Sequence, residues 1–157
     1  MSDEHDATLV GKGKPFALNG SINSKLYLYF GEAWKLPVDT LVLGQNESLT
    51  ERIDGNEAVF DLAGPVFDAK CEEIEKVFTG SAEIVEGGNL GQSHVIFAVG
   101  PKFERSYLDA SISALHTSVR SALSVCSLMF SAQYTPNSRL LYCTVLYCTA
   151  LHCTVLY

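Results

Sequence analysis

The chain has 157 residues, 47% hydrophobic and 18% charged, with 12 Gly and 5 Pro. That is the composition of one globular domain, not of a disordered, collagen-like or coiled-coil chain. The net charge of −7 opposes broad electrostatic binding to nucleic-acid phosphates or anionic lipid.

Residues 1–24 are polar and aperiodic and read as an N-terminal arm, too acidic at the start for a signal peptide. KLYLYF at 25–30 reads as a strand, and VDTLVL at 38–43 as a second one, buried on both faces because its apolar run is continuous. Asn56 can cap a helix carrying Ala58, Val59 and Leu62, which Gly64-Pro65 ends. DAKCEEIEKV at 68–77 is a second helix, with Cys71, Ile74 and Val77 on one face.

Strands are expected at 82–85 and at 95–99 (VIFAV). From 107 to about 130, Leu108, Ile112, Leu115, Val119, Leu123, Cys126 and Phe130 recur at steps of three and four. This predicts a long amphipathic helix with that row facing the core. Short apolar strands separated by helices indicate a layered α/β fold with a mixed or parallel sheet.

From Leu141 the chain reads LYCTV LYCTA LHCTV LY. A period of five follows neither a helix face nor a strand face. The pentanucleotide TACTG, written in tandem, encodes Tyr-Cys-Thr-Val-Leu, and Ala150 and His152 each differ by one base. The tail therefore reads as translated simple-repeat DNA. Its uncharged, β-prone composition marks an aggregation hazard. Cys143, Cys148 and Cys153 are five residues apart, wider than usual zinc-ligand pairs. Without a signal peptide, the five cysteines read as reduced thiols of an intracellular, cytoplasmic or nuclear, protein. No apolar run is long enough to span a bilayer. The histidines His5, His94, His116 and His152 form no pair at metal spacing, and Gly11-Lys12-Gly13-Lys14 lacks the spacing of a P-loop.

The segment GEAWKLPVDTLVLGQN (31–46) resembles the opening of a macro domain, roughly GDITxLxVDAIVNAAN. Leu49, Ala58-Val59, Ala63-Gly64-Pro65, TGSA at 79–82, Asn89-Leu90 and VIFAVGP at 95–101 follow in the family's order. NESLT (46–50) with LAGP (62–65) is most similar to the divergent macro domain of the ganglioside-induced differentiation-associated proteins. The resemblance covers residues 25–130. It implies a three-layer α/β/α fold with a mixed sheet, incomplete at the C-terminus. The organisation is then an arm at 1–24, a partial macro domain at 25–130 and a repeat tail at 131–157.

The same resemblance implies a cleft for ADP-ribose at the strand ends. Glu32 takes the place of the acid that accepts from the adenine amino group, and the Ala33 amide faces the ring. Asn46 matches the second Asn of the family's N-A-A-N, beside the distal ribose. Arg52 can grip a phosphate.

The departures fall on the chemistry. Leu43 replaces the first Asn of N-A-A-N. Arg52-Ile53-Asp54 replaces the glycine triplet whose amides approach the diphosphate, adding bulk and an acid where bare backbone is needed. Asn56 stands where hydrolytic members carry an Asp, and Phe97 replaces a His. The glycine-bearing second phosphate loop, which in the family follows the long helix, has no counterpart, since no glycine lies beyond Phe130. The expectation is a degenerate, non-catalytic module with at most weak binding of ADP-ribose, a related adenine nucleotide or an ADP-ribosylated protein. It needs no cofactor and no metal. The alternative is a protein-interaction scaffold with no nucleotide site.

Overall fold

Alternation of apolar side chains along two central strands fixes the layers. A computed structural model describes residues 27–52, 56–102, 105–132, 144–148 and 153–156. The strands are β1 (Tyr27–Phe30), β2 (Thr40–Gln45), β3 (Ala82–Glu86), β4 (His94–Val99), β5 (Thr144–Cys148) and β6 (Cys153–Leu156). The helices are α1 (Asn56–Ala63), α2 (Pro65–Glu72) and α3 (Leu108–Ala132). They build a three-layer α/β/α arrangement around one mixed sheet of order β1-β6-β5-β2-β4-β3.

β2 runs parallel to β4 on one side and to β5 on the other. Leu41, Leu43, Val95, Phe97 and Val99 point to one face, where they pack with Val59, Phe60 and Ala63 of α1 and Phe67 and Cys71 of α2. Val42, Ile96 and Ala98 point to the other, against Ala122 and Cys126 of α3. Being covered on both faces explains the unbroken apolar run of β2. At the centre of the first layer, Phe60, Phe67 and Phe97 form a three-ring cluster with centroids 5.3 to 5.9 Å apart. Phe97 is fully buried there.

Three expectations are corrected. The second helix starts at Pro65 and ends at Glu72, not at 68–77. Gly64, at φ 81°, provides the left-handed turn, and Pro65 occupies the first helical turn, where its missing N–H costs nothing. The break between the helices is thus also a start.

The long helix packs on β3 and β4 through only part of the expected row. Cys126 of that row is buried, together with Ser111, Ser118 and Ala122, while Leu108, Ile112 and Leu115 are exposed. Small side chains let the helix approach the sheet closely. The Ser121 hydroxyl donates to the Gly80 carbonyl at 2.8 Å, and the Ser118 hydroxyl to the Leu115 carbonyl at 2.8 Å. The large apolar row lies along the flank of that contact.

The tail supplies strands. Thr144 to Tyr147 lie in register beside Thr40 to Leu43, and β6 pairs antiparallel with both β5 and β1. A period of five does not prevent this, because each strand uses only four or five residues and the units meet as a hairpin. The arm at 1–24, Cys143, His152 and the segment 133–143 lie outside the described residues.

Replacing Phe97 by Ala removes the ring that touches both Phe60 and Phe67. Denaturant unfolding is expected to show a loss of about 3–5 kcal/mol, the range for truncating a buried Phe to Ala and leaving a cavity. A loss below about 1 kcal/mol would contradict the cluster's place in the core.

Candidate functional site

The parallel strands β1, β2, β4 and β5 all end at one edge of the sheet, as their pairings through β6 require. After β2 the chain turns to α1 and α2 on one face; after β4 it turns to α3 on the other. Adjacent parallel strands whose connections leave to opposite faces open a crevice at their carboxyl ends, the usual ligand position in such sheets. The loop 46–51 follows β2 at that edge.

Gln45, the last residue of β2, shapes this loop. Its side chain is buried, and its Nε2 donates to the Glu51 carbonyl at 2.7 Å. Its Oε1 accepts from the amides of Asn46 and Glu51, each at 2.9 Å. The amide side chain thus pairs with Glu51 as a neighbouring strand would. Within the loop, Leu49 is held at φ 55°, which is unfavourable for a side chain with a Cβ. Burial of its side chain in the core offsets that strain.

Glu47 ties the loop to the segment after α2. Its Oε2 lies 2.9 Å from Lys76 Nζ, and the Thr79 hydroxyl donates to its Oε1 at 3.0 Å. The Lys76 hydrogen bond, helped by Thr79, holds the Glu47 carboxyl below the usual carboxylate range. Its own carbonyl accepts from the Val77 amide at 2.8 Å.

The four residues picked out in the sequence fall on two loops at this edge. Glu32 and Ala33 follow β1, whereas Asn46 and Arg52 follow β2. β6 and β5 lie between those strands, so the strand ends are roughly 14 Å apart at ordinary strand spacing. Glu32 is exposed and paired with Lys35 one turn on. Ala33 is buried in the core cluster.

Asn46 is engaged within its own loop: its Oδ1 accepts from the Thr50 amide at 3.0 Å and its Nδ2 donates to Thr50 Oγ1 at 3.3 Å. Arg52 is also engaged. Its Nη2 lies 3.1 Å from Asp68 Oδ1, and its guanidinium carbon sits 4.3 Å above the Phe60 ring. Ile53 and Asp54 lie outside the described residues.

The positions that depart from the family pattern serve the fold. Leu43 and Phe97 are buried in the apolar layer. Asn56 is buried, and its Nδ2 donates to the Gly44 carbonyl at 2.9 Å, binding the start of α1 to the end of β2. Sequence reasoning missed Gln45 and Gln92. Gln92 donates to the carbonyls of Trp34 at 3.1 Å and Leu36 at 2.8 Å, fixing the return of the Glu32 loop. A polar residue closing an otherwise apolar strand was the available signal for Gln45. Among the described residues there is no group of three metal-ligating side chains, and no described helix is long and apolar enough to cross a membrane.

Two outcomes follow from this loop. Gln45→Ala removes three hydrogen bonds and leaves the Glu51 amide without its partner, so urea unfolding should show a loss of about 2–3 kcal/mol; an unchanged midpoint would contradict the clamp. Because the folded Glu47 carboxyl titrates below its unfolded value, its contribution is full above the ordinary carboxylate range and disappears as pH falls through the lowered value. In Glu47→Gln the acid limb of a stability–pH curve should therefore be shallower than in the parent chain; identical slopes would contradict the pairing.

Comparison with known proteins agrees with this architecture. The family model described as "Macro domain" matches residues 42–131. The chain is 35% identical over 109 residues to ganglioside-induced differentiation-associated protein 2 of Rattus norvegicus, a match covering 69% of this chain and 22% of that one. The chain thus spans about a fifth of the length of the curated relatives it matches. The crystal structure of the macro domain of ganglioside-induced differentiation-associated protein 2 superposes with a TM-score of 0.69 at 32% identity, covering 73% of this chain and 57% of that one. A mutant macrodomain of Oceanobacillus iheyensis, solved with ADPR, gives a TM-score of 0.59 at 25% identity, covering 64% of this chain and 57% of that one. By fold, by matched residues and by these relatives, the chain belongs to the macro domain family.

Proposed function

We propose that the chain is a degenerate macro-type module that binds ADP-ribose or a related adenine nucleotide weakly and does no chemistry on it. The observation that carries this reading is the divergence of the chain after β2 and β4, whose connections leave to opposite faces of the sheet at their carboxyl ends, the usual ligand position in such sheets. The Oceanobacillus iheyensis relative solved with ADPR supports the ligand class.

Glu32 is free to accept from an adenine amino group once it releases Lys35, because an ionised carboxylate only accepts. The Ala33 amide is the backbone donor beside it. Asn46 must give up Thr50, and Arg52 must give up Asp68, to meet a ribose and a phosphate. Each exchange opposes binding, which is why the affinity is low. Leu43 and Phe97, in the apolar core, offer no polar atom to a substrate. Asn56 cannot act as a base, and its amide is already tied to Gly44. An ADP-ribosylated protein is the natural macromolecular partner on this reading.

The internal engagement of Asn46 and Arg52 favours one competing reading, a protein-interaction scaffold without a nucleotide site. Partners captured equally by the parent chain and by the Glu32→Ala, Asn46→Ala double variant would support the scaffold.

Titration calorimetry of the full chain with ADP-ribose tests the first reading. Binding in the high-micromolar to millimolar range is expected, weakened at least about threefold by Glu32→Ala. Absence of heat at millimolar ligand would overturn it.

A further inference from the structure

We propose that Cys148 and Cys153 form a reversible disulfide that clasps the β5–β6 hairpin at the carboxyl edge of the sheet. The pairing register carries this. Cys148, the last residue of β5, and Cys153, the first of β6, are directly opposed partners. Opposed residues on antiparallel strands have Cα atoms about 4.5 or about 5.5 Å apart, depending on whether the pair exchanges hydrogen bonds. Both separations lie inside the roughly 4.4–6.8 Å window that a disulfide spans without moving backbone.

The register also singles out this pair from the third cysteine of the tail. Cys143 and Cys153 are each five residues from Cys148. Chain separation alone therefore gives Cys148 no preference between them. Thr144, the chain neighbour of Cys143, is at the other end of β5 and opposite Thr40, about 13 Å from Cys148 at strand rise. The fold, not the sequence spacing, selects Cys153.

The clasp joins β5 to β6 where β6 also meets β1. Cys153 is opposed on its other side by Phe30, two residues before Glu32. Oxidation thus fixes the outer half of the sheet beside the loop that begins at Gly31. The proposal needs no ligand and stands apart from the nucleotide reading.

With glutathione disulfide as oxidant the step balances. The thiolate of one cysteine attacks the glutathione disulfide, forming a mixed disulfide and expelling one glutathione thiolate. The thiolate of the other then displaces the second glutathione. Two protein thiols are oxidised, and one glutathione disulfide is reduced to two glutathione molecules.

The test oxidises the full chain with glutathione disulfide, in buffer and in guanidinium. Remaining thiols are alkylated, and chymotryptic peptides are mapped by mass spectrometry. Cleavage after Tyr147 and Leu151 separates the three tail cysteines. In guanidinium the Cys143–Cys148 and Cys148–Cys153 links should form to similar extents. In buffer the Cys148–Cys153 link is expected in at least about tenfold excess. The same ratio in both solvents, or Cys148 and Cys153 recovered only as alkylated or glutathione-linked peptides in buffer, would overturn the proposal. Cys71 and Cys126 are buried, and burial pushes the Cys71 thiol up to about 11, so both should stay unmodified until the chain unfolds and serve as the internal measure of folding.

Discussion

The hydrogen bonding of β2 on both sides is the constraint on which the rest depends. With β4 on one side and β5 on the other, the peptide groups of Thr40 to Leu43 are satisfied without water. Its side chains can then be apolar in both directions. Leu41 and Leu43 gather α1, α2 and the three-phenylalanine cluster, while Val42 meets the layer under α3. Removing one neighbour would expose a row of peptide groups on a strand whose central side chains, Leu41 to Leu43, are all apolar.

The end of this strand is where the ladder gives way to a loop that closes on itself. Gln45 ends the apolar run with an amide that imitates a peptide group and so closes the loop to Glu51. Glu47 and Asn46 finish the closure, one outward to Lys76 and Thr79, the other inward to Thr50. A loop held this firmly keeps its shape, but its polar atoms are already spent on itself.

How far the sequence disclosed this structure depended on the range of each interaction. β2 and β4 were legible because continuous apolar runs declare burial on both faces. β2 begins two residues later than expected, since Val38 packs in the core without joining the ladder. The ends of α1 were legible from Asn56 and Gly64-Pro65. The inner face of α3 was not. A row of large apolar residues signals burial, yet close approach to β3 and β4 selected Ser111, Ser118 and Ala122. The strands of the tail were hidden by its repeat, since a period of five says nothing about which four residues pair. At the site, Glu32 and Asn46 were picked out by family likeness alone. The engagement of Arg52 with Asp68, distant in sequence, came only with folding. So did the clamps of Gln45 and Gln92, whose partners are all backbone atoms.

Amide hydrogen exchange on the full chain measures the central constraint directly. If β5 flanks β2, the amides of residues 144–147 exchange slowly, with protection comparable to that of residues 40–43 facing them. Exchange of 144–147 at the rate of an unstructured peptide, while 40–43 remain protected, would contradict the account.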